Sequence, residues 1–193
     1  GDFLAGEIAH AFASEEDDAG FNGTGASTYG GINGVTGVFD DNEAFAGVHT
    51  AASGIDTFAE LTVADLTSTM GVLPEYAHDG AKWYVSQAGF GAAMARLAHT
   101  AGGETSATIQ GRLAREFMGY EVVISQKLQT SLSDLSEKTM VLFGNLAQAV
   151  TYGQRRDITI SADSSRYFEN DQTAFRGTER IDIVFHERGD AST

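Results

Sequence analysis

The fold is decided by residues 143–188, whose sequence is FGNLAQAVTYGQRRDITISADSSRYFENDQTAFRGTERIDIVFHER. A Gly-Asn pair at 144–145 predicts a turn near the start of this segment. Near its end, the apolar residues Ile181, Ile183 and Phe185 occupy every second position, which predicts a strand with one buried face. The predicted strands of this part of the chain are 140–143, 147–152, 157–161 and 173–187.

A predicted amphipathic helix over residues 2–19 is the natural cover for that buried face. Leu4, Ile8 and Phe12 recur every four residues and form one apolar stripe. We predict Gly20 as the C-cap of this helix. Its last turn is then acidic, an arrangement that the helix dipole disfavours and that needs solvent, cations or the arginines of a partner. The acidic residues are Glu15, Glu16, Asp17 and Asp18.

Between these ends, the sequence predicts short helices and strands separated by loops. Residues 21–37 are rich in glycine and predict a loop, and residues 38–57 have no clear period. Thr62 is a suitable N-cap for a helix over 62–72. The other predictions are a strand at 82–87, a helix at 89–99, strands at 111–118 and 120–124, and irregular structure at 125–138.

Composition excludes several classes of protein. A chain of 193 residues with 42% hydrophobic content fits one globular domain, or two lobes that share a core. Its net charge of -15 repels phosphate and its basic residues are scattered, so specific nucleic-acid binding is not expected. The absence of cysteine excludes disulfides and zinc sites built on sulfur. No apolar run reaches the ~18 residues of a membrane span, and no signal peptide is recognisable.

Local sequence motifs give no active site. No dinucleotide or P-loop signature fits the glycine-rich stretch, and no serine lies in a GxSxG elbow. His186 and Glu187 begin an HExxH pattern, but residue 190 is Asp. A hydrolase whose site is assembled in space from distant residues stays open as an alternative. The histidines available to it are His10, His49, His78 and His99.

A second alternative is a calcium-binding surface or adhesion module. Carboxylates at 15–18 and 40–43 could supply oxygen ligands, which calcium prefers. Their spacing does not match an EF-hand loop, because Ala44 stands where the third ligand should be. Solvated or interface roles therefore explain both clusters better, and we predict no metal, no cofactor and no enzymatic activity.

Several short motifs, in this order, carry a resemblance to a known family. An acidic helix end meets Asn22, Gly23 and Thr24, with Gly31 and Ile32 shortly after. The turn FGNL at 143–146 and the strand after it follow later, and a Glu-Arg pair stands in the final segment at 179–180. This arrangement resembles the major capsid proteins of tailed phages with the HK97-like fold, and the resemblance spans essentially the whole chain.

The resemblance implies an α+β fold with two parts. An axial domain, mapped onto residues 35–146, has a mixed sheet with flanking helices. A peripheral domain, mapped onto 1–34 and 147–193, has a long helix packed on antiparallel strands. Members of the family also carry an N-terminal arm and an extended loop. Because neither precedes Gly1, the chain is expected to be the C-terminal portion of a subunit.

The resemblance also implies a structural function, with copies associating as hexamers and pentamers around double-stranded DNA. The expected location is the virion, after a cytoplasmic stage in a bacterial host, and neither a membrane nor a specific nucleic-acid site is implied. The family's Lys-Asn cross-link is not carried over, because Asp171 and Thr178 stand at the positions that would support it. The predicted subunit-interface residues are Glu15, Glu16, Asp17, Asp18, Arg155, Arg156, Arg176 and Arg180.

Overall fold

The computed structural model describes residues 2–39, 46–100 and 115–186. Its helices are α1 (Asp2–Asn22), α2 (Val35–Phe39), α3 (Val63–Val72), α4 (Gln87–Gly89), α5 (Arg96–Thr100) and α6 (Leu146–Ala149). Its strands are β1 (Lys82–Val85), β2 (Glu116–Phe117), β3 (Tyr120–Ile124), β4 (Leu142–Gly144), β5 (Val150–Asp163) and β6 (Ala174–Phe185). A π-helical segment, Phe90–Ala95, joins α4 to α5.

The first sheet has four strands in the order β2-β3-β1-β4. Strand β1 runs parallel to β3 and antiparallel to β4, so the sheet is mixed. Trp83 on β1 stands in register with Val122 of β3 and Phe143 of β4, which places its indole at the centre of the sheet. Mixed sheet and flanking helices agree with the predicted α+β fold.

An apolar core fills the space between this sheet and the helices α3 to α5. Phe58, Trp83 and Val85 are completely buried. Gly89 lets the helix approach them, since a Cβ at this position would lie 2.6 Å from Cε1 of Phe58. The helix predicted at 89–99 is confirmed, and one side of it forms part of this core. Other members of the core are Leu61, Leu66, Phe90, Met94, Leu97, Phe117, Val122 and Leu135.

Helix α3 begins at the predicted N-cap Thr62, which forms a capping box with Asp65. The Thr62 side chain accepts a hydrogen bond from the backbone N–H of Asp65, and the Asp65 carboxylate accepts from the backbone N–H of Thr62 at 2.9 Å. The hydrogen bond from the Thr62 hydroxyl is the main reason that the pKa of Asp65 is lowered. Both orphan donors at this helix start are therefore satisfied.

Replacing Thr62 with alanine is expected to lower the free energy of unfolding by about 1 kcal/mol, the usual cost of losing an N-cap. Thr67→Ala is the matched control, because Thr67 is exposed within the same helix and its hydroxyl only returns to the Ala64 carbonyl. Urea unfolding of both variants measures the difference. Equal stability of the two would contradict a capping role for Thr62.

The second sheet is a ribbon of two long antiparallel strands, β5 and β6. The predicted strands 147–152 and 157–161 are one continuous strand, and the prediction of strand at 147–149 is wrong. Asn145 is the physical reason, because its side chain accepts a hydrogen bond from the Ala147 N–H at 3.0 Å and starts helix α6. The register of the ribbon shifts on both sides of Arg156, so bulges absorb the polar stretch that separated the two predicted strands.

Helix α1 runs three residues further than the sequence indicates. Gly20 lies within the helix and is not its C-cap, because the helical hydrogen bonds continue past it as far as the Gly23 N–H, which donates to the Ala19 carbonyl. A Cβ at Gly20 would lie 3.4 Å from Cδ1 of Ile183 on β6. The acidic residues 15–18 consequently lie before the last turn, where the cost of the helix dipole is smaller than predicted.

The segment after α1 crosses closely over the end of that helix. Gly23 donates to the Ala19 carbonyl at 3.1 Å, and its own carbonyl accepts from Gly34 at 2.7 Å. Thr36 then donates to the Phe21 carbonyl at 2.7 Å. The bonds from Gly34 and Thr36 attach residues 35–39 to the end of α1. These residues form α2, where the sequence predicted no helix.

Candidate functional site

The candidate site is the seam where α1 packs on the ribbon. Ile8 and Phe12 contact the ribbon at Gly177, where a Cβ would lie 2.7 Å from Cε2 of Phe12. With the Gly20 contact to Ile183, this confirms the predicted packing of a long N-terminal helix across the C-terminal strands. Leu4, the first residue of the stripe, is exposed in contrast, as is the neighbouring Phe3. The apolar stripe therefore meets the ribbon only from Ile8 onward.

Two carboxyl groups face one another within this seam. Burial raises the pKa of Glu16, and the adjacent carboxyl of Glu179 raises it further. The Tyr152 hydroxyl opposes this shift by favouring the charged form of Glu16. Gln154 donates to Oε1 of Glu179 at 2.9 Å, whereas Oε2 of Glu179 is buried without a hydrogen-bond partner among the described residues. A proton on Glu16 would supply the missing donor.

The Glu16 carboxyl makes stability depend on pH. The folded state holds the proton above the ordinary pKa of 4.5, where the unfolded chain has released it. The stabilising contribution of this carboxyl is therefore fully present below that value and is lost as pH rises through the raised pKa.

Replacing Glu16 with glutamine is expected to raise the free energy of unfolding at pH 7 by roughly 1 kcal/mol, because the amide can donate to Glu179 and carries no charge. The gain should shrink as pH approaches 4.5. Glu15→Gln is the matched control and should change stability by less than about 0.5 kcal/mol, since Glu15 is exposed. Thermal unfolding across this pH range measures both variants. A gain for Glu16→Gln that is the same at both pH values would contradict the pairing.

The other residues of the acidic cluster divide between two roles. Asp18 accepts a hydrogen bond from Asn22 at 2.9 Å, and the same Asn22 amide donates to the Lys127 carbonyl at 2.8 Å. This network ties the end of α1 to the loop after β3. Glu15 and Asp17 are exposed and form no ion pair with a described residue. The predicted interface role of the cluster stays a prediction.

The four arginines of the predicted interface are all exposed on the ribbon. Arg156 stands directly opposite Arg180, and Arg176 stands opposite Ser161. Arg155 has no partner in the register of the ribbon. Within the described part of the chain, the ion pairs are His49 with Asp65 and Lys82 with Glu121, so these arginines are not neutralised by the chain's own described carboxylates.

The sequence named Gly20, Gly23 and Glu179 in other roles and did not single out Gly177, so it did not predict their contacts. Gly23 and Gly177 act through close approaches between segments of the fold, for which the sequence holds no local signal. Glu179 does have a signal. Glu179 lies two residues before Ile181 and four before Ile183 on β6. Because side chains alternate along a strand, all three lie on the same face, the one that meets α1.

The histidines of the hydrolase alternative lie in different environments. His78 is held between the Tyr120 hydroxyl at 3.0 Å and the Leu73 carbonyl at 3.1 Å. His49 lies 3.8 Å from Asp65, and no serine or threonine hydroxyl of the described residues is hydrogen-bonded to it. His186 contacts the Thr151 hydroxyl on the exposed surface of the ribbon. His10 and His99 are exposed.

The carboxylates of the calcium alternative are also distributed. Residues 15–18 extend along α1, with two of the four engaged in the contacts above. The cluster at 40–43 lies outside the described residues. Among the residues that are described, no group of three His, Asp or Glu side chains could hold a metal ion. None of the described helices has the length and apolar character needed to cross a membrane.

A protein-family model matches nearly the whole chain. The model of the phage capsid family matches residues 2–186. No curated protein matches the chain.

Two solved structures share the fold. They are the capsid of the empty GTA particle and the capsid of the native GTA particle, both with C5 symmetry. The TM-score is 0.61 for both, at 17% and 16% sequence identity, over 95% of this chain. The chain spans 62% and 61% of the length of those capsid chains. With a mixed sheet, flanking helices and a long helix laid across an antiparallel ribbon, the chain has the HK97-like fold and belongs to the phage capsid family.

Proposed function

We propose that the protein is a structural subunit of a phage-type shell, in which copies associate as hexamers and pentamers around double-stranded DNA. The family match over residues 2–186 is the observation that carries this proposal. The fold supports it, because α1 and the ribbon form an elongated unit with exposed, unneutralised charge on both elements. Its location is the virion, after a cytoplasmic stage in the host cell.

The division into domains is part of the proposal. Residues 35–146 contain the four-stranded sheet and its core and would form the axial domain. Residues 1–34 and 147–193 would form the peripheral domain, in which α1 covers one face of the ribbon. The two termini of the chain therefore contribute to one domain, and the continuous middle forms the other.

Negative charge suits a wall that encloses DNA. A net charge of -15 disfavours tight, non-specific adhesion of phosphate to the protein. DNA would therefore be retained by enclosure, and the shell by contacts between subunits. No observation favours a hydrolase or a calcium-binding module over this structural role, since neither has an assembled site among the described residues.

Sedimentation velocity over a concentration series tests the proposal. The product of the complete reading frame that contains these residues is expected to form discrete rings or larger closed species. An exposed-charge interface also predicts that assembly weakens as salt concentration rises. A monomer at every concentration, in low salt, would contradict the structural role.

A further inference from the structure

We propose that the outer face of the ribbon binds the acidic side of helix α1 from a second copy of the chain. The positions concerned are Arg176, Thr178 and Arg180 on β6 and Glu7, Ala11 and Glu15 on α1. This inference rests on the proposed function and identifies a contact through which subunits associate.

The two faces of β6 differ in their partners. Gly177, Glu179 and Ile183 lie against α1 of the same chain. Side chains alternate along a strand, so Arg176 and Arg180 lie on the opposite face. Both arginines are exposed, and they form no hydrogen bond or ion pair with a described residue.

Arginines on this outer face repel one another, and no described carboxylate forms an ion pair with them. Arg156 and Arg180 face each other directly across the ribbon, and like charges in that position repel. The register shifts on both sides of Arg156, an irregularity that typically marks a place where a sheet re-aims its side chains. Asp182 occupies the next position on this face of β6, yet it lies beyond ion-pair distance of these arginines. An incoming carboxylate would relieve the repulsion.

The spacing of charges on α1 matches that on β6. Glu7 and Glu15 are eight residues apart, which is about 12 Å and about 2.2 turns along a helix. Arg176 and Arg180 are four residues apart, which is about 13 Å along a strand. Small or short side chains, Ala11 and Thr178, lie between the charges and leave room for the two elements to approach. Two charge-assisted pairs can therefore form at once, and arginine can bind each carboxylate through two hydrogen bonds.

A second copy is favoured over nucleic acid as the partner. Nucleic-acid binding of useful strength neutralises about 6 to 10 phosphates, whereas this face presents three arginines with Asp182 beside them. The chain as a whole carries 27 acidic residues against 12 basic ones, which repels phosphate but offers many carboxylates to another copy. Because the two surfaces of the contact differ, each copy binds the next in the same sense, and such contacts close into rings when the rotation allows.

Reversing the charges on the two surfaces tests the proposal. The substitutions are made in the product of the complete reading frame. Reversal of both arginines, Arg176→Glu with Arg180→Glu, is expected to reduce the assembled fraction about tenfold or more, since attraction becomes repulsion at each contact. Adding Glu7→Arg with Glu15→Arg to the same chain should restore assembly. The matched control is Arg115→Glu with Arg166→Glu, which makes the same change in net charge at exposed arginines elsewhere and should assemble as the wild type does.

Sedimentation and DNA content, measured together, separate the outcomes. Unchanged melting temperatures would establish that the exposed substitutions leave the fold intact. Assembly by the reversed variant at the wild-type level would overturn the proposed contact while leaving the proposed function in place. Loss of assembly without rescue by the helix substitutions would overturn α1 as the partner. Normal assembly with lost DNA content would show that this face binds nucleic acid, and would overturn a second copy of the chain as its partner. Failure of the wild type itself to assemble would overturn the proposed function.

Discussion

Replacing Trp83 with alanine is expected to lower the free energy of unfolding by about 3 to 5 kcal/mol, the usual range for removing a large aromatic side chain from a core. Trp83 has 0% exposure, and its ring centroid lies 4.5 Å from that of Phe143 and 6.0 Å from that of Phe117. Its indole N–H donates to the Phe117 carbonyl at 3.1 Å. The substitution therefore leaves both a cavity and an unpaired carbonyl at the centre of the sheet.

Two variants separate these contributions. Trp83→Phe keeps an aromatic ring but loses the donor, and should cost less, about 1 to 3 kcal/mol. Tyr76→Ala removes an aromatic ring that is 70% exposed and should change stability by less than about 0.5 kcal/mol. Chemical denaturation monitored by circular dichroism measures all three. Equal effects of Trp83→Ala and Tyr76→Ala would contradict the position of the core.

Replacing Gly23 with alanine is expected to cost about 3 kcal/mol, the upper end for overpacking, because the new methyl group would meet backbone and not flexible side chains. A Cβ at Gly23 would lie 2.5 Å from the carbonyl oxygens of Ala19 and Ile32 and 2.9 Å from the Gly34 nitrogen. Relief requires the end of α1 to separate from the segment that crosses it. The hydrogen bond from Gly34 to the Gly23 carbonyl would be lost with that movement.

Gly6→Ala is the matched control for this prediction. Gly6 lies in the interior of α1, and a Cβ there would have no atom within 4 Å. Alanine should therefore stabilise the helix by about 0.5 to 1 kcal/mol. Opposite shifts in melting temperature for the two glycines are the expected result. A Gly23→Ala variant as stable as Gly6→Ala would show that the crossing is not close-packed.

Features with a local cause could be predicted from the sequence. The period of four in α1 and the period of two in β6 identify a helix and a strand that each have one apolar face. The N-cap of α3 follows from Thr62, which stands immediately before the first helical residue. Such signals depend on neighbouring residues alone. They leave α1 and β6 each with one apolar face to cover, which is why the packing of one on the other could be expected.

Features that depend on contacts with residues far away in the sequence could not be predicted. Helix α1 continues past Gly20 to Asn22, whose side-chain amide donates to the carbonyl of the distant Lys127 at 2.8 Å. Residues 147–149 are helical because the Asn145 side chain caps them, and the carbonyl of the distant Asp79 holds that side chain by accepting from its amide at 2.8 Å. Each of these errors lies where a single long-range contact or cap outweighs local propensity.

The candidate site was predictable in composition but not in arrangement. The acidic cluster and the ribbon arginines stand out in the sequence, but only the fold separates Glu16 in the seam and Asp18 in its network from the exposed Glu15 and Asp17. Likewise, only the register of the ribbon shows that Arg156 faces Arg180.

Electron microscopy of the purified product of the complete reading frame tests the central claim most directly. The account predicts closed shells in which subunits surround fivefold and sixfold positions, with α1 and the ribbon of each subunit in contact with neighbouring copies. Monomers that form neither rings nor shells, at any protein or salt concentration, would contradict it.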